Sequence, residues 1–362
     1  MKRNLPALVA AGLAMAQSSL PTTRGDAGTR AIVIAHRGAS GERPEHTLEA
    51  YRLAIEQGAE FVEPDLVATR DGVLVCRHEN EISGTTDVAS RPEFADRRTT
   101  KSIDGVTVTG WFTEDFTLAE LKTLRARERL PHLRGTAFDG RYEVPTFDEV
   151  LDLVSTHDAS AGRSGRRVGV YPETKHPTYF QHLGTPLEGP LLDALRRRGL
   201  DAAGAPVFIQ SFEVENLRGL AARTRVPLIQ LIEAEGRPWE STPTPSSPTY
   251  AEMTRPEGLR EIATYARGIG VHKSLVIRRD DGGRSGSSTT LVRDAHTAGL
   301  VVHVWTLRAE NQFLPAERRR GTDPAAHGDL AGEVRQFLEA GVDGVFSDFP
   351  ATAVGARDAG EL

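Results

Sequence analysis

Two histidines and three carboxylates stand at or near the ends of apolar, strand-like segments. His36 and His78 each end one such segment, Glu63 and Asp65 share one face of another, and Glu173 ends a fourth. Imidazoles that are neutral near pH 7 can act as a general base and a general acid on either side of a reacting centre. Clustered carboxylates repel one another, which raises a pKa or demands a cation.

The residue types around these groups favour phosphate chemistry. A set of oxygen ligands from Glu63, Asp65 and Glu173 selects a hard ion, Ca²⁺ or Mg²⁺, over Zn²⁺. Arg37 and Lys175 add cations suited to a phosphate group. A metal, two histidines and two cations together predict phosphodiester cleavage, in which the cations stabilise developing negative charge while the histidines move protons.

Further polar and aromatic residues at later strand ends extend the predicted site. Gln210, Phe212 and Trp305 are predicted to bind substrate. Each position also has a plainer explanation, because a strand-end histidine is often structural and Glu63 with Asp65 could form a solvated strand edge. Their joint occurrence at successive strand ends favours a site, since the carboxyl ends of barrel strands form the active face.

The elements that must position these residues alternate between strands and helices. The first unit is a strand from Ala31 followed by a helix opening at about Thr47. Later strands are predicted at 168–174, 207–212, 226–232, 269–272, 300–306 and 344–347, and later helices at 187–198, 213–224, 257–267, 288–298 and 329–340. This alternation predicts a TIM (β/α)8 barrel. A doubly wound open sheet is the alternative, but no G-x-G-x-x-G follows the first strand.

The region between residues 61 and 154 is less regular. Asp71-Gly72 predicts a hairpin, and simple pairing would place Asp65 across from His78. A wholly parallel barrel would need the second arm to run the other way, and the sequence leaves both readings open. Residues 80–140 are predicted to be an insertion with one helix, Leu118–Arg127. Thr146 is predicted to cap a following helix, with Glu149 three residues on.

Bulk properties describe a globular protein. The chain has 362 residues, a formal net charge of −6, and 39% hydrophobic and 26% charged residues. The length suits one large α/β domain or two small ones, and the negative charge argues against a nucleic-acid partner. The one cysteine, Cys76, is assigned to the core. The Pro/Ser/Thr-rich loop 236–256 is predicted at the active face, and 351–362 as a polar tail.

The N-terminus has the order of a secretory signal. A basic start, an apolar stretch from Leu5 and the ending Ala14-Met15-Ala16 predict a signal peptide over 1–16 and an exported protein, periplasmic or secreted. The apolar stretch is too short to predict stable membrane insertion. Residues 17–30 are predicted to be a disordered lead-in. The alternative is a frayed cytosolic N-terminus.

Five motifs in order resemble the glycerophosphodiester phosphodiesterase family, and most closely its periplasmic branch. They are HRGASGERPEHT, VEPDLVATRDGVLVCRHE, YPETK, QSF and VWT, and the similarity runs over 32–350. The resemblance implies a TIM barrel with an insertion after the third strand. It matches His36 and His78 to the catalytic acid/base pair and Glu63, Asp65 and Glu173 to the metal ligands, with Ca²⁺ the expected ion and Mg²⁺ the alternative. Arg37 matches a phosphate contact, with Lys175 a second.

The implied reaction is hydrolysis of a small-molecule glycerophosphodiester to sn-glycerol 3-phosphate and an alcohol. In the family's route the glycerol 2-hydroxyl attacks phosphorus and water then opens the cyclic phosphate; the sequence leaves open which histidine is acid and which base. Two rivals are a phospholipase D-type barrel acting on lysophospholipid or sphingolipid and a non-catalytic exported binding protein. The chain departs from the family pattern at His46, Glu79 and Ser347, without losing a proposed catalytic group.

Overall fold

The computed structural model describes residues 30–161, 167–239 and 247–361, so that the predicted signal peptide and nearly all of the lead-in lie outside it. The strands are β1 (Ile32–His36), β2 (Phe61–Glu63), β3 (Asp65–Ala68), β4 (Leu74–Cys76), β5 (Thr99–Ile103), β6 (Val106–Gly110), β7 (Gly169–Val170), β8 (Glu173–Thr174), β9 (Ile209–Ser211), β10 (Leu228–Ile232), β11 (Gly268–His272), β12 (Ile277–Arg279), β13 (Ser285–Ser288), β14 (Val301–Leu307) and β15 (Gly344–Ser347).

Helices follow most of the central strands. They are α1 (Leu48–Glu56), α2 (Leu118–Leu121), α3 (Pro131–Arg134), α4 (Phe147–Ala161), α5 (Pro177–His182), α6 (Glu188–Arg197), α7 (Val214–Ala221), α8 (Tyr250–Met253), α9 (Pro256–Ile262), α10 (Leu291–Thr297), α11 (Leu330–Glu339) and α12 (Pro350–Asp358). Within the described ranges, none of these helices is both long and apolar enough to span a bilayer.

The parallel strands close into an eight-stranded barrel. β1 pairs with β15 on one side and with β2 on the other. β2 and β3 are consecutive halves of one barrel strand, as are β7 and β8, because β2 pairs with β7 and β3 with β8. The remaining pairs run in order from β8 through β9, β10, β11 and β14 to β15. The predicted TIM barrel is confirmed.

Prolines divide both split strands at the same level. Pro64 separates β2 from β3 and Pro172 precedes β8, and proline has no N–H to give to a ladder. The pairing nevertheless continues across the breaks, since Tyr171 N donates to Val62 O at 2.9 Å and Glu173 N donates to Pro64 O at 3.0 Å. The breaks therefore lie beside the carboxylates predicted to form the site.

Apolar strands fill the barrel and bind the helices to it. Ile34, Tyr171, Ile229 and Phe346 form a buried cluster on four different barrel strands or their immediate ends. Two larger clusters contain buried side chains of the strands and of the surrounding helices. Burial on both faces explains why the strands read as continuous apolar runs.

Threonine side chains cap two of these helices. The side chain of Thr47 accepts from Ala50 N at the start of α1. At the start of α4, Glu149 N donates to the Thr146 hydroxyl at 3.1 Å, while Thr146 N donates to the Glu149 carboxylate at 2.7 Å. This reciprocal pair is the predicted capping box.

The Asp71-Gly72 hairpin forms, and β4 runs antiparallel to β3, which decides between the two readings of this region. The predicted register was wrong by one residue, because Arg77, not His78, donates its N–H to Asp65 O. β4 is thus an outer arm that pairs only with β3 among the named strands. In barrel order, the insertion that follows it joins the second barrel strand to the third.

Two sequence expectations outside the barrel were wrong. The helix predicted over Leu118–Arg127 is limited to α2, because the backbone beyond it bonds elsewhere: Arg125 O accepts from Asp87 N, and Arg127 N donates to Thr85 O. The supposed polar tail is mostly α12, whose Ala353 and Ala356 are buried. Small apolar residues on one helix face gave too weak a pattern to be recognised.

Candidate active site

A cleft of about 650 Å³ lies at the carboxyl ends of the barrel strands. All the side chains predicted for the site line it: His36, Arg37, Glu63, Asp65, His78, Glu173, Lys175, Gln210, Phe212 and Trp305. This is the face at which barrel enzymes carry their active sites.

Three carboxylates meet on the floor of the cleft. One oxygen from each of Glu63, Asp65 and Glu173 lies within 4.8 Å of the others, and all three side chains are buried. The split strands cause this meeting, because Asp65 and Glu173 are paired neighbours on β3 and β8, while Glu63 precedes the Pro64 break. Oxygen ligands in such a cluster suit a hard divalent cation.

The three carboxyl groups titrate differently. Burial raises the pKa of Glu63 well above its usual value, and the charges of Asp65 and Glu173 add to this. Burial likewise raises the pKa of Glu173, to about 8, although Lys175 opposes it. Burial also disfavours the ionised form of Asp65, but Lys175 and His78 hold the pKa of that group well below its usual value. Opposite pKa shifts in neighbouring carboxyl groups are typical of negative charges crowded in a desolvated site.

Two cations flank the carboxylates. Lys175 Nζ donates to Glu173 Oε1 at 2.6 Å and lies 3.9 Å from Asp65 Oδ1. Arg37 has a left-handed backbone, φ 59°, which aims its N–H at Glu63 Oε2, 2.8 Å away. Its guanidinium lies 3.0 Å from Glu45 and 3.4 Å from Asp65. An unfavourable backbone at the cleft is consistent with a functional constraint.

His36 is fixed by a carboxylate from the last barrel strand's end. Its Nδ1 lies 2.6 Å from Asp348 Oδ1, and Asp348 Oδ2 accepts from Arg134 and Arg308 at 2.6 and 2.8 Å. With Nδ1 engaged, Nε2 is the nitrogen left for the cleft. Burial, with Arg37 adding to it, lowers the pKa of His36 to about 4 despite Asp348.

His78 has the same arrangement on the opposite side. Its Nδ1 bonds the carboxylate of Glu79, which in turn accepts from both Nη atoms of Arg129, at 3.1 and 2.6 Å. Burial lowers the pKa of His78 to about 3, and Arg37 and Lys175 contribute to the shift. Both cleft histidines are therefore neutral at pH 7.

The remaining predicted residues form the wall of the cleft. Gln210 Nε2 donates to Glu63 Oε1 at 3.2 Å. The Phe212 ring lies 5.9 Å from that of Trp305 and 5.5 Å from Lys175 Nζ. Beyond Trp305, the cleft continues past His272, which the sequence analysis had not placed in the site. The wall therefore combines one amide group with two aromatic rings next to the carboxylates and Lys175.

Sequence reasoning missed several partners of these groups. His46, noted only as a departure from a family pattern, is fully buried and its Nε2 lies 2.9 Å from Asp65 Oδ2. Asp348 directly follows Ser347 at the end of the last barrel strand, and the sequence analysis gave it no role. Arg129 and Arg134 lie in the irregular insertion, where no periodicity or motif distinguished them from other arginines. Only Asp348, at a strand end, carried a usable signal.

A family model of the glycerophosphoryl diester phosphodiesterase family matches residues 36–352. The chain belongs to this family. A glycerophosphodiester phosphodiesterase of Arabidopsis thaliana is 38% identical over 89% of this chain and 84% of its own. One of Haemophilus influenzae is 28% identical over 89% and 88%. The predicted family and the assignment as a phosphodiesterase enzyme are confirmed.

Solved structures support the same fold. An Oleispira antarctica phosphodiesterase in complex with the product sn-glycerol-3-phosphate superposes with a TM-score of 0.57, at 21% identity, covering 91% of this chain and 97% of that one. A glycerophosphodiester phosphodiesterase of Agrobacterium tumefaciens gives a TM-score of 0.53 at 19% identity, covering 90% and 99%. The barrel of this phosphodiesterase is therefore shared with these two proteins.

Proposed function

We propose that this phosphodiesterase hydrolyses glycerophosphodiesters to sn-glycerol 3-phosphate and an alcohol, with His36 and His78 as the acid/base pair. The observation that carries the proposal is the placement of both histidines, each with its Nδ1 held by a carboxylate, in one cleft with the three-carboxylate cluster. That placement leaves two Nε2 atoms for proton transfer beside a site for a cation.

The residues of the cluster fit a divalent metal, with Ca²⁺ the ion we propose and Mg²⁺ the alternative. Asp65 Oδ1 and Gln210 Oε1 are buried and have no hydrogen-bond partner among the described residues. Two such unpaired acceptors beside Glu63 and Glu173 are costly unless a cation takes them as ligands. When bound to these carboxylates, the ion would neutralise charge on the phosphate and on the attacking oxygen.

The cations and the aromatic wall would orient the substrate. Arg37 and Lys175 would bind the phosphodiester oxygens, while Phe212 and Trp305 would contact the glycerol or head-group carbons. One histidine would take the proton of the glycerol 2-hydroxyl through Nε2, and the other would give a proton to the departing alcohol oxygen. The same groups, with their proton roles exchanged, would then serve the attack of water on the cyclic phosphate.

Substrate binding favours the charge state this route needs. Arg37 lowers the pKa of both histidines, and Lys175 also lowers that of His78. A phosphodiester paired with these cations would offset their field, so that one histidine could carry the proton for the leaving group. The other would stay neutral and act as the base.

The test is release of glycerol 3-phosphate from glycerophosphocholine, glycerophosphoethanolamine and glycerophosphoglycerol by the purified protein. We expect turnover that chelator abolishes and that Ca²⁺, or less effectively Mg²⁺, restores. Full activity of the metal-free protein would refute the carboxylate-site argument. Tight binding of all three compounds with no turnover would instead support the non-catalytic rival.

One observation favours lysophospholipids as a second substrate class. Among the described residues, the exposed large apolar side chains are Val106, Leu183 and Trp239. The Trp239 ring lies against Gly105, the residue before Val106. The preceding residue, Asp104, lies 2.6 Å from His176, which directly follows the cleft residue Lys175. An apolar edge at this position suits a single acyl chain.

Trp239→Ala separates the two substrate classes. If the rim binds an acyl chain, this substitution lowers kcat/KM for lysophosphatidylcholine about tenfold, as expected for loss of one aromatic contact. The value for glycerophosphocholine stays unchanged. The matched control is Leu183→Ala, which removes an exposed apolar side chain at the opposite end of α5 from His176. No turnover of lysophosphatidylcholine by the wild-type protein would exclude this class.

We also propose export, from the signal-like stretch 1–16, which lies outside the described residues. Sequencing of the N-terminus after expression in a bacterium with a periplasm tests it. A mature chain beginning at Gln17 in the periplasm supports the proposal, and an intact Met1 in the cytoplasm contradicts it.

A further inference from the structure

Both cleft histidines are linked to the same short segment of the insertion. Arg129 bonds the carboxylate that holds His78, and Arg134 bonds the carboxylate that holds His36. The two arginines are separated only by Leu130 and the first turn of α3. We call residues 129–134 the clamp segment.

Arg129 bonds two carboxylates, Glu45 and Glu79, each of which bonds a residue that lines the cleft. Its Nη2 lies 2.6 Å from Glu79, and its Nε and Nη2 donate to the two oxygens of Glu45 at 2.7 and 2.6 Å. Glu79 bonds His78 Nδ1, and Glu45 accepts from Arg37. A forked guanidinium can hold both carboxylates at once, which an ammonium group cannot do with the same geometry.

The Arg134 arm is more deeply buried. Its side chain is 8% exposed; Nη2 donates to Asp348 Oδ2 and Nε to Glu310 Oε1, both at 2.6 Å. Its Nη1 donates to Ser40 O at 2.8 Å, in the loop that follows His36. Asp348 Oδ1 is thereby left for His36 Nδ1.

We propose that the clamp segment positions both proton-transfer groups, so that Arg129 and Arg134 are positioning residues for His78 and His36. The proposal rests on the function proposed above. By fixing the carboxylates, the two arginines keep each Nδ1 as the hydrogen-bond donor and each Nε2 lone pair directed to the cleft. Outer partners of this kind set the tautomer and the ring orientation of a functional histidine.

If these ion pairs only stabilised the insertion, there would be no reason for the carboxylates they contain to bond His78 and His36. The pair of Arg97 with Glu120, also in the insertion, has a 2.6 Å contact and leads to no residue of the cleft. Its arginine side chain is 27% exposed, against 29% for Arg129. Arg97 is therefore the matched control for a salt bridge that only stabilises the insertion.

The kinetic test uses Arg134→Ala first, because Arg134 contacts no proposed phosphate ligand. We expect kcat to fall about 10- to 100-fold, as for loss of other outer partners, with KM for glycerophosphocholine changed less than about threefold. Arg129→Ala should lower kcat similarly and also raise KM, since Glu45 and Arg37 lose a partner. Arg97→Ala should leave both constants unchanged. Near-wild-type kcat in Arg134→Ala, or an equal loss in Arg97→Ala, overturns the proposal.

A double substitution shows whether Arg134 acts through Asp348. In an Asp348→Asn background, adding Arg134→Ala should lower kcat by less than about twofold, because the group that Arg134 positions is already changed. A full additional 10- to 100-fold loss would mean that Arg134 acts by another route, which contradicts the proposal. Partial rescue of Arg134→Ala by added guanidinium, with no effect on Arg97→Ala, would support it.

A spectroscopic readout is independent of turnover. In protein labelled with ¹⁵N-histidine, with resonances assigned by His36→Gln and His78→Gln, the wild type should show Nδ1 protonated and Nε2 unprotonated for both rings. Arg134→Ala should shift the His36 signals toward mixed tautomers and leave His78 unchanged, and Arg129→Ala should do the reverse. Unchanged signals in both variants overturn the proposal. If these shifts occur in a protein that cleaves no glycerophosphodiester, the proposed function fails while the positioning stands.

Discussion

At the scale of the residue, the cleft histidines are neutral groups with one ring nitrogen engaged and one available. Burial lowers the pKa of His36 to about 4 and that of His78 to about 3, against the pull of the carboxylates beside them. Neutral imidazole is the form that a general base requires. The two rings differ in surroundings, since Asp348 is almost fully buried while Glu79 is partly exposed.

Replacing either histidine tests the proton-transfer roles. His36→Ala and His78→Ala should each lower kcat by about 10²- to 10⁴-fold, the range for loss of a general acid or base. Steady-state rates on glycerophosphocholine measure this. His296→Ala, which removes a histidine paired with Asp343 outside the cleft, is the control and should retain full activity. Near-wild-type turnover in either cleft variant would remove that residue from the mechanism.

At the level of secondary structure, the two proline-split strands position the carboxylates, and the insertion positions the arginines. The breaks at Pro64 and Pro172 bring three carboxylates together on the barrel itself. The insertion supplies Arg129 and Arg134, which lie just before α3 and at its last residue. The start of α3 is held by Glu128, whose carboxylate accepts from Leu130 N at 2.8 Å and whose own N–H donates to Asp139.

Glu128 should make the stability of this protein depend on pH. Burial raises its pKa from 4.5 to about 7, so the folded state binds a proton that the unfolded state releases between those values. The folded pKa lies above the unfolded one; stability is therefore retained at low pH and lost as the pH rises toward 7, by an amount on the order of 3 kcal/mol at most. Glu128→Gln should remove this loss.

Denaturant unfolding of the wild type and of Glu128→Gln at pH 5 and pH 8 measures the effect. The variant should gain stability over the wild type at pH 8 and much less at pH 5. Glu93→Gln, an exposed position in the same insertion, is the control and should show no pH-dependent difference. Equal differences at both pH values for Glu128→Gln would contradict the assignment.

For the molecule as a whole, the last helix packs over the first strand of the barrel. α12 packs against β1 and α11, and its Arg357 donates to Ala31 O at 3.0 Å and to Glu60 at 2.7 Å. The end of the described chain therefore covers its beginning. Arg357 and Ala31 are more than three hundred residues apart, so this contact joins the first and last elements of the described chain.

A charge placed in this interface tests its importance. Ala353 is fully buried, and Ala353→Asp should lower the free energy of unfolding by about 3 kcal/mol or more, because an unpaired carboxylate is costly to bury. Ala351→Asp, on the exposed face of the same helix, should change it by less than about 0.5 kcal/mol. Equal, small effects in urea denaturation would show that α12 is dispensable.

Local sequence patterns predicted the barrel and ten of the residues that line its cleft. Apolar strands alternating with helices are local patterns, and a parallel barrel places every strand end on one face, so His36, Glu63 and Glu173 could be brought together without knowing any contact. The hairpin at Asp71-Gly72 was predicted for the same reason, since turn chemistry is local. Its register was not, because the loop between Thr69 and Val73 holds three residues instead of two: Thr69 N donates to Val73 O at 3.0 Å, and Ala68 pairs with Leu74.

Only the tertiary structure decided which side chains hold the catalytic candidates in place. Arg129 lies 84 residues from Glu45, and Arg134 lies 214 residues from Asp348. Both arginines come from an irregular segment whose course depends on long-range contacts rather than on periodicity. An arginine in such a segment looks the same in sequence whether it meets solvent, a surface carboxylate or the partner of a histidine. That difference arises from chain packing, which no local pattern encodes.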